Sequence, residues 1–335
     1  MQHNHDNKRV FSGIQPSGKL HIGNYVGALS LWAELQEFYE TIFCIVDLHA
    51  LTIPERSHPA SLHAKTRQIA ALYVACGIAP EKNVMFIQSH IHEHAELAWI
   101  LNCITPVGWL ERMTQYKMKS RQSKSVSTGL LDYPVLQAAD ILLYKTQLVP
   151  VGEDQRQHIE LTRDVATRFN MMFGEIFVMP KVMTRDSGAR IAALDDPSSK
   201  MSKSIGEQQP GHAVGLLDDP DTIRRTIMSA VTDSGQEMRF AHASPGIFNL
   251  LTLYEAFTGT DRRSIEAKFA DKGYHFLKNE VAEVVLATLQ PIQSHYHVIM
   301  REPRDIDTML RKGAERIRPI AEQTMQDVRK ATGIG

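Results

Sequence analysis

Residues 10 to 29, VFSGIQPSGKLHIGNYVGAL, constrain this chain more than any other stretch. Val10 to Ile14 is a short and mostly apolar run, as a buried strand should be. Pro16, Ser17 and Gly18 then supply turn chemistry. From Ile22 onward the apolar residues fall at helical spacing, which predicts Ile22, Tyr25, Val26, Leu29 and Trp32 on one face. A strand feeding a helix in this way puts backbone N–H groups and the positive end of the helix dipole beside His21, Gly23 and Asn24, a place that attracts phosphate. Gly23 has no side chain, so a flat ring such as adenine has room on its backbone. His21 and Asn24 offer donors for phosphate oxygens. An ordinary strand–helix turn satisfies the same letters, and no GxxxxGK[ST] loop occurs in the chain.

The pattern repeats downstream. IFCIVD at 42–47 reads as an apolar strand with Asp47 and His49 at its carboxyl end, 62–76 has helical spacing, and Val84 to Ile87 is another short strand. Alternating strands and helices predict an α/β fold, a Rossmann-like parallel sheet with crossover helices whose ligands collect at the carboxyl ends of the strands. Residues 132–155, DYPVLQAADILLYKTQLVPVGEDQ, continue it. Asp132 is expected to cap a helix with Pro134 in its first turn and its end near Tyr144. Tyr133, Gln137, Asp140, Ile141 and Tyr144 would share a face. A carboxylate on such an apolar face is costly without a partner, so Asp140 is either paired inside the protein or waiting for a ligand's donor. Leu148 to Val151 reads as a strand ending at Gly152, Glu153, Asp154 and Gln155. A helix follows from His158 to about Phe173.

Three other stretches carry competing readings. Ser89 to His94, SHIHEH, has metal-ligand residue types but lacks the HExxH pattern, and a solvated loop is the better account. Residues 111–125, with Arg112, Lys117, Lys119, Arg121 and Lys124, read as solvated surface or as a mobile loop over phosphates or RNA. GARIAALDDPSSKMSKS at 188–204 reads as a strand followed by a loop rich in serine and lysine. Beyond it, helices are expected at 220–231, 246–258, 261–270, 278–299 and 305–331.

With 335 residues, about two domains are expected. We divide the chain into a nucleotide-binding catalytic domain at 1–210 and an all-helical C-terminal domain at 211–335, whose last helix is placed to pack back on the first. The net charge of −1 provides no global field for nucleic acid, so any RNA contact must use local basic patches. The segment MQHNHDNKR has no apolar signal core, and no apolar run is long enough to cross a membrane, so a cytoplasmic protein is the expectation. Cys44, Cys76 and Cys103 lie in separate apolar runs and read as buried small hydrophobes.

HIGN at 21–24 resembles the HIGH signature of class I aminoacyl-tRNA synthetases. Lys200-Met201-Ser202-Lys203-Ser204 is the second signature of that class in full. FSGIQPSG, HIGN, YPVLQAADILLY, VPVGEDQ and KMSKS, in this order and spacing, resemble the tryptophanyl-tRNA synthetases of the bacterial and mitochondrial type over nearly the whole chain. The resemblance implies activation of tryptophan by ATP with Mg²⁺, transfer to tRNA(Trp), a homodimer, an anticodon-binding role for 211–335 and no protein-bound metal. It places Lys200, Lys203, Lys119 and Gln15 in catalysis. ATP would meet Gln15, Pro16, Ser17, His21, Gly23, Asn24, Gly152, Glu153, Asp154, Ile191, Lys200, Met201, Ser202, Lys203 and Ser204. Tryptophan would lie among Phe11, Gly13, Gln15, His49, Tyr133, Gln137, Asp140 and Gln155. Gln137 stands where many bacterial relatives carry methionine, which makes the pocket wetter. The rivals are the sister enzyme for tyrosine, a nucleotidyltransferase without tRNA, and a non-catalytic paralogue that binds tryptophan or RNA.

Overall fold

A computed structural model describes residues 8–52, 59–122, 125–183, 191–206 and 209–335. Strands β1 (Arg9–Ile14), β2 (Glu40–Ile45), β3 (Val84–Ile87), β4 (Leu148–Pro150) and β5 (Lys181–Met183) form one parallel sheet in the order β3-β2-β1-β4-β5. Phe11 pairs with Ile42, Ile42 with Val84, Val10 with Leu148 and Val149 with Val182. The chain builds outward from β1 to β2 and β3, then returns to the other side of β1 with β4. Strand order therefore reverses between β1 and β4, and a crevice opens there at the strand ends.

Helices of two turns or more are numbered in chain order: α1 (Pro59–Ala75), α2 (Glu93–Asn102), α3 (Thr114–Gln122), α4 (Thr128–Leu142), α5 (Arg156–Phe173), α6 (Pro220–Met228), α7 (Pro245–Thr258), α8 (Arg262–Phe269), α9 (Tyr274–Ile299) and α10 (Pro303–Thr332). Four expectations need correction. The basic run at 111–125 is largely α3 rather than a loop, because its Gln, Lys, Met and Arg side chains lose little freedom in a helix; Lys124 lies outside the described residues. Helix α4 starts at Thr128, ahead of the cap expected at Asp132, because the Ser127 hydroxyl accepts from the Leu130 N–H at 3.2 Å and caps it. Within 188–204, residues 191–194 form no strand, only an isolated bridge between Ala192 and Lys200, and 188–190 lie outside the described residues. Cys44 is buried as expected, but Cys76 is half-buried and Cys103, just past α2, is exposed. Strand β5 had no signal in its residues. Three residues after Pro180 are too few to show a period.

The helix after the first turn is irregular. It runs as α-helix over Ile22–Asn24, as π-helix over Tyr25–Leu29 and as α-helix over Ser30–Leu35. Ile22, Val26, Leu29 and Trp32 still bury one face, so the apolar spacing is legible despite the widened turn. Such π turns recur at functional sites.

The apolar interior continues from this helix into the C-terminal helices, with Trp32 and Phe43 in the same cluster as Leu253, Val285 and Leu310. Helix α10 crosses β3 so closely that a Cβ on Gly313 would overlap the backbone carbonyl of Met85. Arg316 of the same helix donates to the carbonyls of Pro80 (3.0 Å) and Asn83 (2.9 Å), and Arg329 forms a forked pair with Glu96. Two backbones in contact leave no side-chain rotation to relieve an added methyl. Gly313→Ala should therefore destabilise the fold by about 2–3 kcal/mol, the upper range for overpacking, read as a lower urea midpoint at unchanged m-value. An unchanged midpoint would show that α10 can lift from β3 at no cost.

Candidate active site

A cavity of about 340 Å³ opens where β1 and β4 diverge. Phe11 to Gln15 from β1, Val149 to Gly152 from β4, Tyr133, Gln137 and Asp140 from α4, and His49 after β2 all line it. Asn24 and Gly27 approach from the π-containing helix, and Lys119 from α3. Gly13 is required by space: a Cβ there would stand 2.9 Å from the Cys44 carbonyl oxygen of the neighbouring strand.

At the closed end lies Asp140, 1% exposed. Its Oδ1 accepts from Gln88 Nε2 at 2.6 Å and meets His94 Nδ1 at 2.7 Å, while Oδ2 meets His49 Nε2 at 2.9 Å. Burial opposes this charge, but the bonds and positive ends of His49 and His94 outweigh it and hold the carboxyl well below the usual range. The two alternatives for Asp140 are thus combined: it is paired within the protein and it faces the cavity. The segment 89–94 is corrected by the same network. Glu93 and His94 are buried, so the segment is not a solvated loop. Among the described residues, no group of three or more His, Cys, Asp or Glu is arranged to hold a metal.

Beside Asp140, the Tyr133 hydroxyl lies 2.9 Å from His158 Nε2. Burial, with Lys119 nearby, lowers the His158 pKa to about 4, so the ring is neutral at pH 7. Lys119 Nζ sits 5.1 Å from the centre of the Tyr133 ring. Gln15 donates to the His49 carbonyl at 2.9 Å, tying the end of β1 to the turn after β2.

The open end carries the lysine loop. Burial pushes the Asp154 carboxyl up, but the charge and bond of Lys200 Nζ, 3.0 Å away, together with the bond from Gln155, outweigh it and keep the carboxyl below its ordinary range. Asp154 lies in a short 3₁₀ turn, Glu153–Gln155, at the end of β4. The first signature stands against the second: Ile22 N–H donates to the Val214 carbonyl at 2.9 Å, His21 bridges Gly215, and a Cβ on Gly23 would lie 3.6 Å from the Met201 sulfur. His21 and Met201 are buried and fill the space beside Gly23. Asn24 Oδ1 accepts from the His21 N–H at 3.1 Å and so serves the turn itself. Ile191 is buried beneath the loop, where its carbonyl accepts from Met201 N–H. The side chains of Glu153, Lys203 and Ser204 lie outside the described residues.

The family described as tRNA synthetases class I (W and Y) matches residues 3–290. The chain belongs to this family. Among its relatives, the tryptophan–tRNA ligase of Caldanaerobacter subterraneus subsp. tengcongensis is 53% identical over 328 residues, 98% of each chain. The crystal structure of tryptophanyl-tRNA synthetase from Mycoplasma pneumoniae superposes with a TM-score of 0.91 at 34% identity, covering 98% of both chains. That of the Campylobacter jejuni enzyme, complexed with ADP and tryptophan, gives 0.82 at 34% identity, covering 97% of this chain and 100% of the other.

In this class I synthetase HIGN reaches the crevice through Asn24, and KMSKS stands next to it, with Met201 beside Gly23 and Lys200 on Asp154. Phe11, Gly13, Gln15, Asn24, His49, Lys119, Tyr133, Gln137, Asp140, Gly152 and Gln155 all border the cavity. Pro16, Ser17, His21, Asp154, Ile191, Lys200, Met201 and Ser202 do not border it. Sequence reasoning missed Gln88, His94 and Tyr144 as members of the site. The pairing of His94 with an acidic helix face 46 residues away carries no local signal.

Proposed function

We propose that this chain is a tryptophan–tRNA ligase. It activates L-tryptophan with ATP to tryptophanyl-adenylate and pyrophosphate, then passes tryptophan to the 3′ end of tRNA(Trp). One observation carries the reading: a single crevice at the β1/β4 switch point has the buried acceptor Asp140 in its wall together with Gly152 and Gln155, and Asp154 between those two holds the KMSKS lysine, Lys200, at 3.0 Å. Indole has one polar group, an N–H donor, and fits a cavity whose inner polar group accepts.

In this reading tryptophan lies among Phe11, Gly13, His49, Tyr133, Gln137 and Asp140, with Gln15 and Gln155 toward its carboxylate end. ATP lies over Gln15 to Ser17, Gly23, Asn24, Gly152 to Asp154 and the 200–204 loop, with His21 and Ile191 supporting that surface. The tryptophan carboxylate attacks the α-phosphorus as pyrophosphate leaves, a step governed by positioning and charge stabilisation. Lys119, Lys200 and Lys203 supply that charge, and Mg²⁺ arrives with the nucleotide. Residues 1–210 form the catalytic part and 211–335 the anticodon-binding part of a cytoplasmic homodimer. Exposed Leu51 and Trp99, which line one groove between α2 and α4, support a second copy on that face. No described helix is long and apolar enough to cross a membrane.

The test is ATP–pyrophosphate exchange on the purified protein with tryptophan and with tyrosine. Exchange driven by tyrosine, or by neither, overturns the reading. The tRNA step has its own signature. Arg318 donates to the His90 carbonyl at 2.8 Å and Arg224 pairs with Glu283 at 2.6 Å, while Arg225 and Arg311 are exposed on their helices. If these surfaces meet phosphates, aminoacylation affinity should fall with salt by about 0.7–0.9 log units per tenfold for each contact, with adenylation far less affected. Equal sensitivity of both half-reactions would remove the helical part from tRNA binding.

A further inference from the structure

A carboxylate offers roughly four lone-pair directions to donors. At Asp140 three are taken: two on Oδ1, by Gln88 and His94, and one on Oδ2, by His49. The remaining direction belongs to Oδ2, and Asp140 itself borders the cavity. Nothing in the apolar face of α4 fixes the carboxylate plane, so its aim is set by these partners.

Two of the partners are themselves fixed from behind. Gln88 Oε1 accepts from the Leu48 N–H at 3.1 Å, which settles that its amide nitrogen points at Asp140. His94, 0% exposed, is stacked on Phe86, and its Nε2 lies 2.6 Å from the Tyr144 hydroxyl. A carboxylate only accepts, so His94 Nδ1–H donates to Asp140 Oδ1, and the Tyr144 hydroxyl holds the ring's other nitrogen from behind. His94, Gln88 and Tyr144 do not line the cavity.

We propose that His94, held by Tyr144, is a positioning residue for amino-acid selection: it occupies Oδ1 and turns Oδ2 of Asp140 toward the indole N–H. This deepens the tryptophan reading and rests on Asp140 being the indole acceptor. Its effect is specific to the ligand's N–H. A ligand of the same shape without that hydrogen gains nothing from a well-aimed Oδ2.

The experiment compares ATP–pyrophosphate exchange with tryptophan and with its benzothiophene isostere, in which sulfur replaces the N–H. His94→Asn keeps a donor near the Nδ1 position; His94→Gln carries its amide toward Tyr144 and abandons Oδ1. Losing one charge-assisted bond should lower kcat/KM for tryptophan in His94→Gln by roughly 10- to 100-fold, mainly through KM. The isostere and ATP should change little, and His94→Asn should recover most of the loss. Tyr144→Phe, which retains the ring, should show a smaller loss of the same N–H-selective kind and serves if the histidine variants fold poorly. Equal losses for tryptophan and the isostere in His94→Gln and Tyr144→Phe would make the histidine merely structural and overturn the proposal. Asp140→Asn run alongside separates the two layers. If its loss too is equal for tryptophan and the isostere, the acceptor reading itself fails; if its loss is confined to tryptophan while those of the His94 and Tyr144 variants are not, only the positioning role fails.

Discussion

Asp140→Ala should raise the KM for tryptophan by several orders of magnitude and collapse discrimination against phenylalanine, while the KM for ATP stays near its wild-type value. A site built to accept one hydrogen bond rejects a ligand that cannot donate it by roughly 10⁴-fold, because a buried polar group is then left unpaired. Removing the carboxylate removes that penalty for phenylalanine and the bond for tryptophan together. The structure adds a second consequence. Gln88, His94 and His49 would all lose their common acceptor in a buried space, and breaking such a network costs about 3–5 kcal/mol. Selectivity must therefore be measured on protein shown to be folded by its thermal transition. Folded Asp140→Ala with undiminished preference for tryptophan would remove Asp140 from recognition.

What the sequence made legible follows from how far apart the cooperating residues lie. The strands β1, β2 and β3 announce themselves by continuous apolar runs, and the helical spacing from Ile22 to Trp32 survives a π turn because burial of one face is conserved within it. Lys200 and Asp154 sit in stretches whose residue types are informative by themselves. Failures came where a local rule competed with a distant partner. SHIHEH is polar by composition, yet His94 is buried because Asp140 and Tyr144 satisfy both ring nitrogens. Asp132 is an adequate cap by type, but Ser127 captures the N-terminus first and turns 128–131 into helix. Gly313, in the midst of a long polar-faced helix, looks like a helix defect until β3 is placed against it.

Lys200→Ala should lower kcat for adenylation by roughly 10²- to 10³-fold with little change in the KM for tryptophan, the loss expected when one preorganised donor to developing charge is removed. The ground-state contact explains why so large an effect is compatible with a mobile role. Lys200 and Asp154 are 3.0 Å apart but both substantially exposed, 56% and 41%. An exposed pair of this kind is worth only about 0–1 kcal/mol, so the lysine leaves Asp154 cheaply when a polyphosphate offers more negative charge. In the proposed reaction Asp154 would then hold the ammonium near the polyphosphate without trapping it. Asp154→Asn should then cost far less kcat than Lys200→Ala, since this contact is weak and the leaving-group contact is the one that counts. Single-turnover adenylate formation compares them directly. An unchanged kcat in Lys200→Ala would take this lysine out of the chemical step. A loss in Asp154→Asn as large as that in Lys200→Ala would mean that the pair itself, rather than the lysine released from it, acts in the transition state.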